Sequence, residues 1–189
     1  DKKNKLNRRD LVSLQRVSQS VGLSLDKNKK IEEEKLIRNS FQKYVPSAIV
    51  DEILGQQGIA TNSINKEVIC MFMDIRDFTK ISGEIPPKLL IETLNSIFQI
   101  LEDEIKKSGG LIDKYLGDGA FVTWGSIPGS EPCILTAVES SLNFIKKIEK
   151  FNKELRLHGQ PAMNVGLGLH IGNVLVGNIG SDNKKEFTV

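Results

Sequence analysis

The run "VICMFMDI", Val68 to Ile75, is apolar on both faces of an extended chain and ends on an acidic turn. Such a run predicts a strand in the middle of a covered sheet. The segments after it limit the sheet it can join. "PPKLLIETLNSIFQILEDEIKKSGG" is an amphipathic helix in which Leu90, Leu94, Ile97, Leu101 and Ile105 share a face. Pro86 and Pro87 open that helix, and Gly109-Gly110 close it. "LIDKYLG" and "AFVTWG" are two short strands about an Asp118-Gly119 turn. "EPCILTAVESSLNFIKKIEKFNKELRLHG" is a second long helix, with Val138, Leu142, Ile145 and Ile148 as its repeating apolar positions. "MNVGLGLHIG" and "VLVGNIG" predict another hairpin around Gly172-Asn173, and "EFTV" opens one more strand.

The order is β-α-β-β-α-β and then β-β, an α+β chain on the ferredoxin-like, palm-like plan with an appended hairpin. A right-handed crossover lays the second strand parallel to the first. The turn after the second strand then lies at the sheet end where the first strand finishes, so Asp74 and Asp118 converge. Residues 1–58 read differently, as a helical and elongated segment. Leu11, Leu14, Val21 and Leu25 follow a three-and-four spacing, and Ile37, Phe41 and Val45 recur at four-residue steps. Gly22 and "DKNKK" interrupt the seam, so a coiled coil is one reading and a solvated linker another. Two regions result: a helical linker over 1–58 and a globular domain over 59–189.

Charge separates the same two regions. The whole chain of 189 residues carries a formal +2, but residues 1–30 hold 9 Lys/Arg against 3 Asp/Glu. The rest holds 17 against 21, mildly acidic and unlike a dedicated nucleic-acid binder. The basic tail suits a membrane surface, a nucleic acid or, most simply, solvent. Cys70 and Cys133 form no ligand-spaced pair, which argues for a reducing compartment without disulfide or zinc site. No apolar run approaches the roughly 20 residues of a membrane span. The start "DKKNKLNRRD" has no signal-peptide core and no Met, so the chain is expected to be part of something longer.

Two carboxylates meeting at a polar sheet end repel unless a charge offsets them. A hard divalent cation does this, and Mg²⁺ favours one or two carboxylates together with phosphate oxygens. Two such ions assist an in-line displacement at phosphorus, and backbone N–H groups of the turn "IRDFT" suit phosphate. The bland alternative is that each aspartate only forms its turn. "GLGLHIG" is no dinucleotide fingerprint, because its glycines are misspaced and no helix comes after them. His170 reads as structural, and Phe121 and Trp124 as core or interface residues.

"MFMDIRDFT", "GGLIDKYLGDGAFVTWG", "VGLGLHIGNVLVGNIGS" and "KEFTV" resemble, in order and spacing, the class III nucleotidyl cyclase catalytic domain of the bacterial adenylate cyclase type. The resemblance implies conversion of ATP to 3′,5′-cyclic AMP and pyrophosphate with two Mg²⁺ or Mn²⁺ ions per site. It implies that Asp74 and Asp118 bind metal, that Ile75 lends a backbone carbonyl, and that Phe78 and Thr79 hold the triphosphate. Lys114 would read the base, with Thr188 as its partner. Guanylate cyclases resemble this pattern but carry Glu with Cys or Ser at those two positions. A lysine facing guanine N1–H would set donor against donor, at about 1–3 kcal/mol.

The same resemblance implies a homodimer with sites shared between subunits, an upstream sensor in the same polypeptide, and a cytoplasmic domain whose full-length protein can be membrane-anchored. No nucleic-acid partner is implied. In the family, "EFTV" leads into an Asn and, four residues later, an Arg. Val189 comes before both, so the chain by itself is expected to be a weak enzyme or none. Guanylate cyclase and a non-catalytic, nucleotide-binding pseudo-cyclase are the alternatives. A diguanylate cyclase fits less well, because Leu116 stands where its hairpin has a first glycine.

Overall fold

The computed structural model describes residues 21–22, 24–25, 27–37, 40, 63–127, 129–181 and 184–189. The chain divides into two compact units, residues 1–51 and 52–189. In the first, residues 27–37 are helical, with Ile31, Leu36 and Ile37 exposed. Most of the expected helical linker, including Leu11, Leu14, Phe41 and Val45, lies outside the described residues.

The second unit runs β1 (Ile64–Ile75), α1 (Phe78–Glu84), α2 (Pro87–Lys107), β2 (Leu111–Leu116), β3 (Gly119–Trp124), α3 (Ile134–Leu157), β4 (Val165–Ser181) and β5 (Lys184–Thr188). The sheet order is β2-β3-β1-β4-β5, with every neighbouring pair antiparallel. β2 is therefore parallel to β1 with β3 between them, as a βαββαβ plan requires. Among the described residues no helix is long and apolar enough to cross a membrane.

The β1 ladder sorts side chains by parity. Ile69, Met71, Met73 and Ile75 join the core with Ile97, Leu101 and Ile105 of α2. The alternate residues Cys70 and Phe72 face the opposite side, where Phe72 is 57% exposed and stacks on Phe121 at 4.6 Å. The expected sheet covered on both faces is thus corrected: helices cover one face. Cys70 is half-buried on the other side, where burial and nearby Asp113 push its thiol pKa up. Trp124 is buried and donates from Nε1 to Ser108 Oγ at 2.9 Å.

α2 presents the expected stripe, starting at Pro87 and stopping before Gly109, which takes a left-handed φ of 70°. α3 is rotated from expectation. Val138 and Leu142 are exposed, while Ala137, Ser140, Ser141, Phe144, Ile148, Asn152 and Leu155 are buried. Small residues let the helix lie close to the sheet, and the serine hydroxyls satisfy themselves on their own helix. Ser141 Oγ donates to Ala137 O at 2.7 Å and also touches Met71 Sδ at 3.3 Å. Buried polar groups without partners would be costly; these have partners. Asn152 ties α3 to the approach to β4, accepting from Met163 N at 2.8 Å and donating to Met163 O at 3.1 Å.

The hairpin expected at Gly172-Asn173 does not form there. β4 is one strand of 17 residues, with Gly172 paired to Val68 and Asn173 to Glu67. A tight primed turn needs positive φ, and neither residue adopts it. The chain reverses between Ser181 and Lys184 instead, so the appended hairpin consists of the far half of β4 and β5.

Glu104 links the two long helices from a nearly buried position, accepting from Lys107 at 2.7 Å and from Lys147 of α3. The hydrogen bonds from Lys107 and then Lys147 lower its pKa below the ordinary 4.5. A lowered carboxyl pKa stabilises the fold above that ordinary value and loses its contribution as pH falls through the folded one. Glu104→Gln is expected to cost about 1.5 kcal/mol at neutral pH. The gap from wild type should close on acidification below pH 4.5 in denaturant titrations.

Candidate active site

Two clusters lie on the second unit. The first is the acidic end of the sheet. β1 finishes at Ile75, and β3 begins opposite it, with Met73 paired to Ala120. β2 and β3 join through Gly117 and Asp118, Leu116 pairing with Gly119. The loop is therefore Gly117-Asp118, one residue earlier than expected, and Gly117 takes the positive φ of 67° that a Gly-first primed turn requires.

Gly119 is what allows the close approach. A Cβ there would lie 2.6 Å from Met73 O and 3.5 Å from Asp74 Oδ1. Asp74 thus reaches the residue directly after Asp118, and both aspartates are partly or fully exposed at one sheet end. Ile75 sits between Asp74 and a turn held by Arg76 N donating to Asn164 O at 2.8 Å. Asp77 then takes a left-handed φ of 56°, and Phe78 and Thr79 open α1.

The donors gathered here are oxygens. Among the described residues no group of three or more His, Cys, Asp and Glu side chains could hold a metal by itself. Two carboxylates without a third suit an ion that completes its shell from water and phosphate, as Mg²⁺ does, and not a closed structural zinc site.

The second cluster lies on the helix-free side. Thr188 of β5 donates from Oγ1 to Asp113 Oδ2 at 3.0 Å, and Lys114 Nζ is 3.3 Å from the same oxygen. Lys114 and Thr188, far apart in sequence, are thereby joined through Asp113, whose side chain is only 2% exposed. Val189, next to Thr188, lines an open apolar groove of about 450 Å³ with Cys70, Phe72, Phe121, His170 and Val174. His170 is therefore an exposed groove residue on the sheet face.

Sequence reasoning missed Asp113. The residue occupies a β-bulge: Ile112 pairs with Val122 and Lys114 with Phe121, leaving Asp113 in excess. Ile112 packs against the core, whereas Lys114, two residues on, pairs beside Phe121 on the other face. The bulge reverses the strand's parity and so aims the lysine. The sequence signal was present in "LIDKYL", a polar pair interrupting an alternation that would otherwise bury Lys114.

Residues 61–189 match the family described as the adenylate and guanylate cyclase catalytic domain, and the chain belongs to that family. It is 27% identical over 94% of its length to an adenylate cyclase of Anabaena cylindrica, and spans 35% of that protein. It thus covers about a third of that relative's length. Among solved structures it resembles the adenylyl cyclase CyaB of P. aeruginosa, with 28% identity and a TM-score of 0.62 over 67% of this chain and 66% of that one. The guanylyl cyclase Cya2 is similar at 29% identity and the same TM-score, over 67% and 64%. The class III catalytic domain and its palm-like fold are thereby established.

Gly119→Ala should force β3 away from β1, because the added carbon would meet backbone and not a yielding side chain. Thermal unfolding is expected to show a loss of about 1–3 kcal/mol. Gly83→Ala, whose added carbon meets nothing within 4 Å, should show no such packing penalty.

Proposed function

We propose that the chain is the catalytic domain of an adenylate cyclase, forming 3′,5′-cyclic AMP and pyrophosphate from ATP. The observation that carries this reading is the pairing of Lys114 and Thr188 through Asp113, in a domain whose acidic turns lie together at the end of β1. Lysine has only donors, suiting the unprotonated N1 of adenine, and the threonine oxygen accepts from the exocyclic amine.

Asp74 and Asp118, with the carbonyl of Ile75, would hold two Mg²⁺ or Mn²⁺ ions. When bound, such ions lower the proton affinity of the ribose 3′-hydroxyl and screen charge on the phosphates. The backbone of Phe78 and Thr79 orients the triphosphate. In-line attack of the 3′-oxygen on the α-phosphorus then forms one P–O bond as the bond to pyrophosphate breaks. The two carboxylates position the reacting oxygens; neither forms a covalent intermediate.

The domain acts as a homodimer in this reading, each site taking its acidic end from one subunit and Lys114 and Thr188 from the other. The helix-free face, with Phe72 57% exposed, supports it as an apolar surface awaiting cover. Residues 1–58 would be a parallel signalling helix below a sensor in the same polypeptide, and residues 59–189 the catalytic domain on the cytoplasmic side. Exposed Leu36 and Ile37 on the described helix support pairing there. Guanylate cyclase is the second reading, favoured by the likeness to Cya2. The Lys114–Thr188 pair weighs against it.

The test is product analysis of the natural polypeptide with ATP or GTP and Mn²⁺ or Mg²⁺. Cyclic AMP should dominate, and Asp74→Ala or Asp118→Ala should each lower kcat/KM by at least about 10²-fold while the fold persists. Preferred GTP turnover, or mutants as active as wild type, would overturn the assignment. Crosslinks that lock the linker helices in successive registers should give graded activity.

A further inference from the structure

We infer that Asp113 is a positioning residue that sets the base preference, holding the Thr188 hydroxyl proton and the Lys114 ammonium on one buried carboxylate oxygen. The inference rests on the cyclase reading and gives a role to a residue that reading leaves unassigned.

A threonine hydroxyl by itself does not discriminate between bases. It can accept from the exocyclic amine of adenine, or rotate and donate to the O6 carbonyl of guanine. Discrimination requires its single proton to be committed elsewhere. Asp113 Oδ2 takes that proton at 3.0 Å, whereas the Val189 oxygen at 3.4 Å lies beyond the usual O–H···O range. With the proton committed to Asp113, the oxygen offers a base only lone pairs. The ammonium of Lys114, 3.3 Å from the same carboxylate oxygen, is a donor whatever partners it takes. The result is one donor beside one acceptor, matching N1 and the amine of adenine. Guanine would present N1–H to the donor and O6 to the acceptor, a mismatch at both positions.

The backbone is arranged for this contact. Adjacent residues of a regular strand point to opposite faces, yet Asp113 and Lys114 meet through their side-chain ends. The bulge at Asp113 makes this possible. A carboxylate 2% exposed must be compensated by hydrogen bonds or charge, and Lys114 and Thr188 supply both. β5 reaches it from the opposite end of the sheet order, so the contact also places Thr188 in space.

Asp113→Asn in the natural polypeptide tests the role, because the amide can donate to Thr188 Oγ1 and turn the hydroxyl proton toward the base. Two readouts are used: kcat/KM for ATP and GTP, and binding of 3′-deoxy-ATP and 3′-deoxy-GTP with Mn²⁺. The ATP-over-GTP ratio should fall at least about tenfold in both, with the thermal midpoint near that of wild type. Asp113→Ala, which removes the acceptor and cannot overpack the bulge, should lower the ratio likewise.

An unchanged ratio in a folded Asp113 variant would overturn the inference while leaving an ATP-preferring cyclase intact. Equal weakening of both nucleotides would also overturn it, marking Asp113 as structural only. A wild-type preference for GTP would instead overturn the adenylate reading, and this inference with it.

Discussion

The antiparallel ladder between β1 and β3 is the constraint on which the rest of the second unit depends. Its register places Met73 against Ala120, so the end of β1 meets the start of β3. It also assigns Ile69, Met71, Met73 and Ile75 to the helix side. A shift of one residue would expose that row and bury Phe72 and Asp74 in its place. Packing and chemistry are therefore specified together: the hydrophobic parity that fills the core also carries Asp74 to the edge of the sheet.

Much of the fold was legible because apolar periodicity is a strong signal. The α2 stripe from Leu90 to Ile105, the Gly109 stop and the short β2–β3 turn come from spacing and turn chemistry. The α3 face was not legible. Val138, Leu142 and Ile145 formed a better apolar repeat than the buried Ala137, Ser140 and Ser141, but hydrophobicity does not report how closely a helix approaches a sheet. β4 misled in the opposite way. Glycine before asparagine is a common turn pair, yet neighbours along β1 hold Gly172 and Asn173 extended.

At the site, the two aspartates were readable because topology alone brings strand ends together. Lys114 and Thr188 were named by resemblance, and their joining needed three dimensions: a bulge shifts parity without altering composition. Asp113 was hidden for the same reason. An aspartate before a lysine in a short edge strand is a faint break in the alternation, and the count of residues across the ladder is what shows that one is in excess.

β4 runs without interruption from Val165, opposite Ile75 at the acidic end, to Ser181, where it turns into the strand carrying Thr188. A 17-residue strand spans roughly 56 Å at about 3.3 Å per residue, and its first 12 residues are clamped along β1. Such a rod has no hinge in its paired stretch. In the proposed dimer, bringing the two half-sites into or out of alignment would therefore need whole subunits to tilt against each other, with each domain moving as a lever of fixed length.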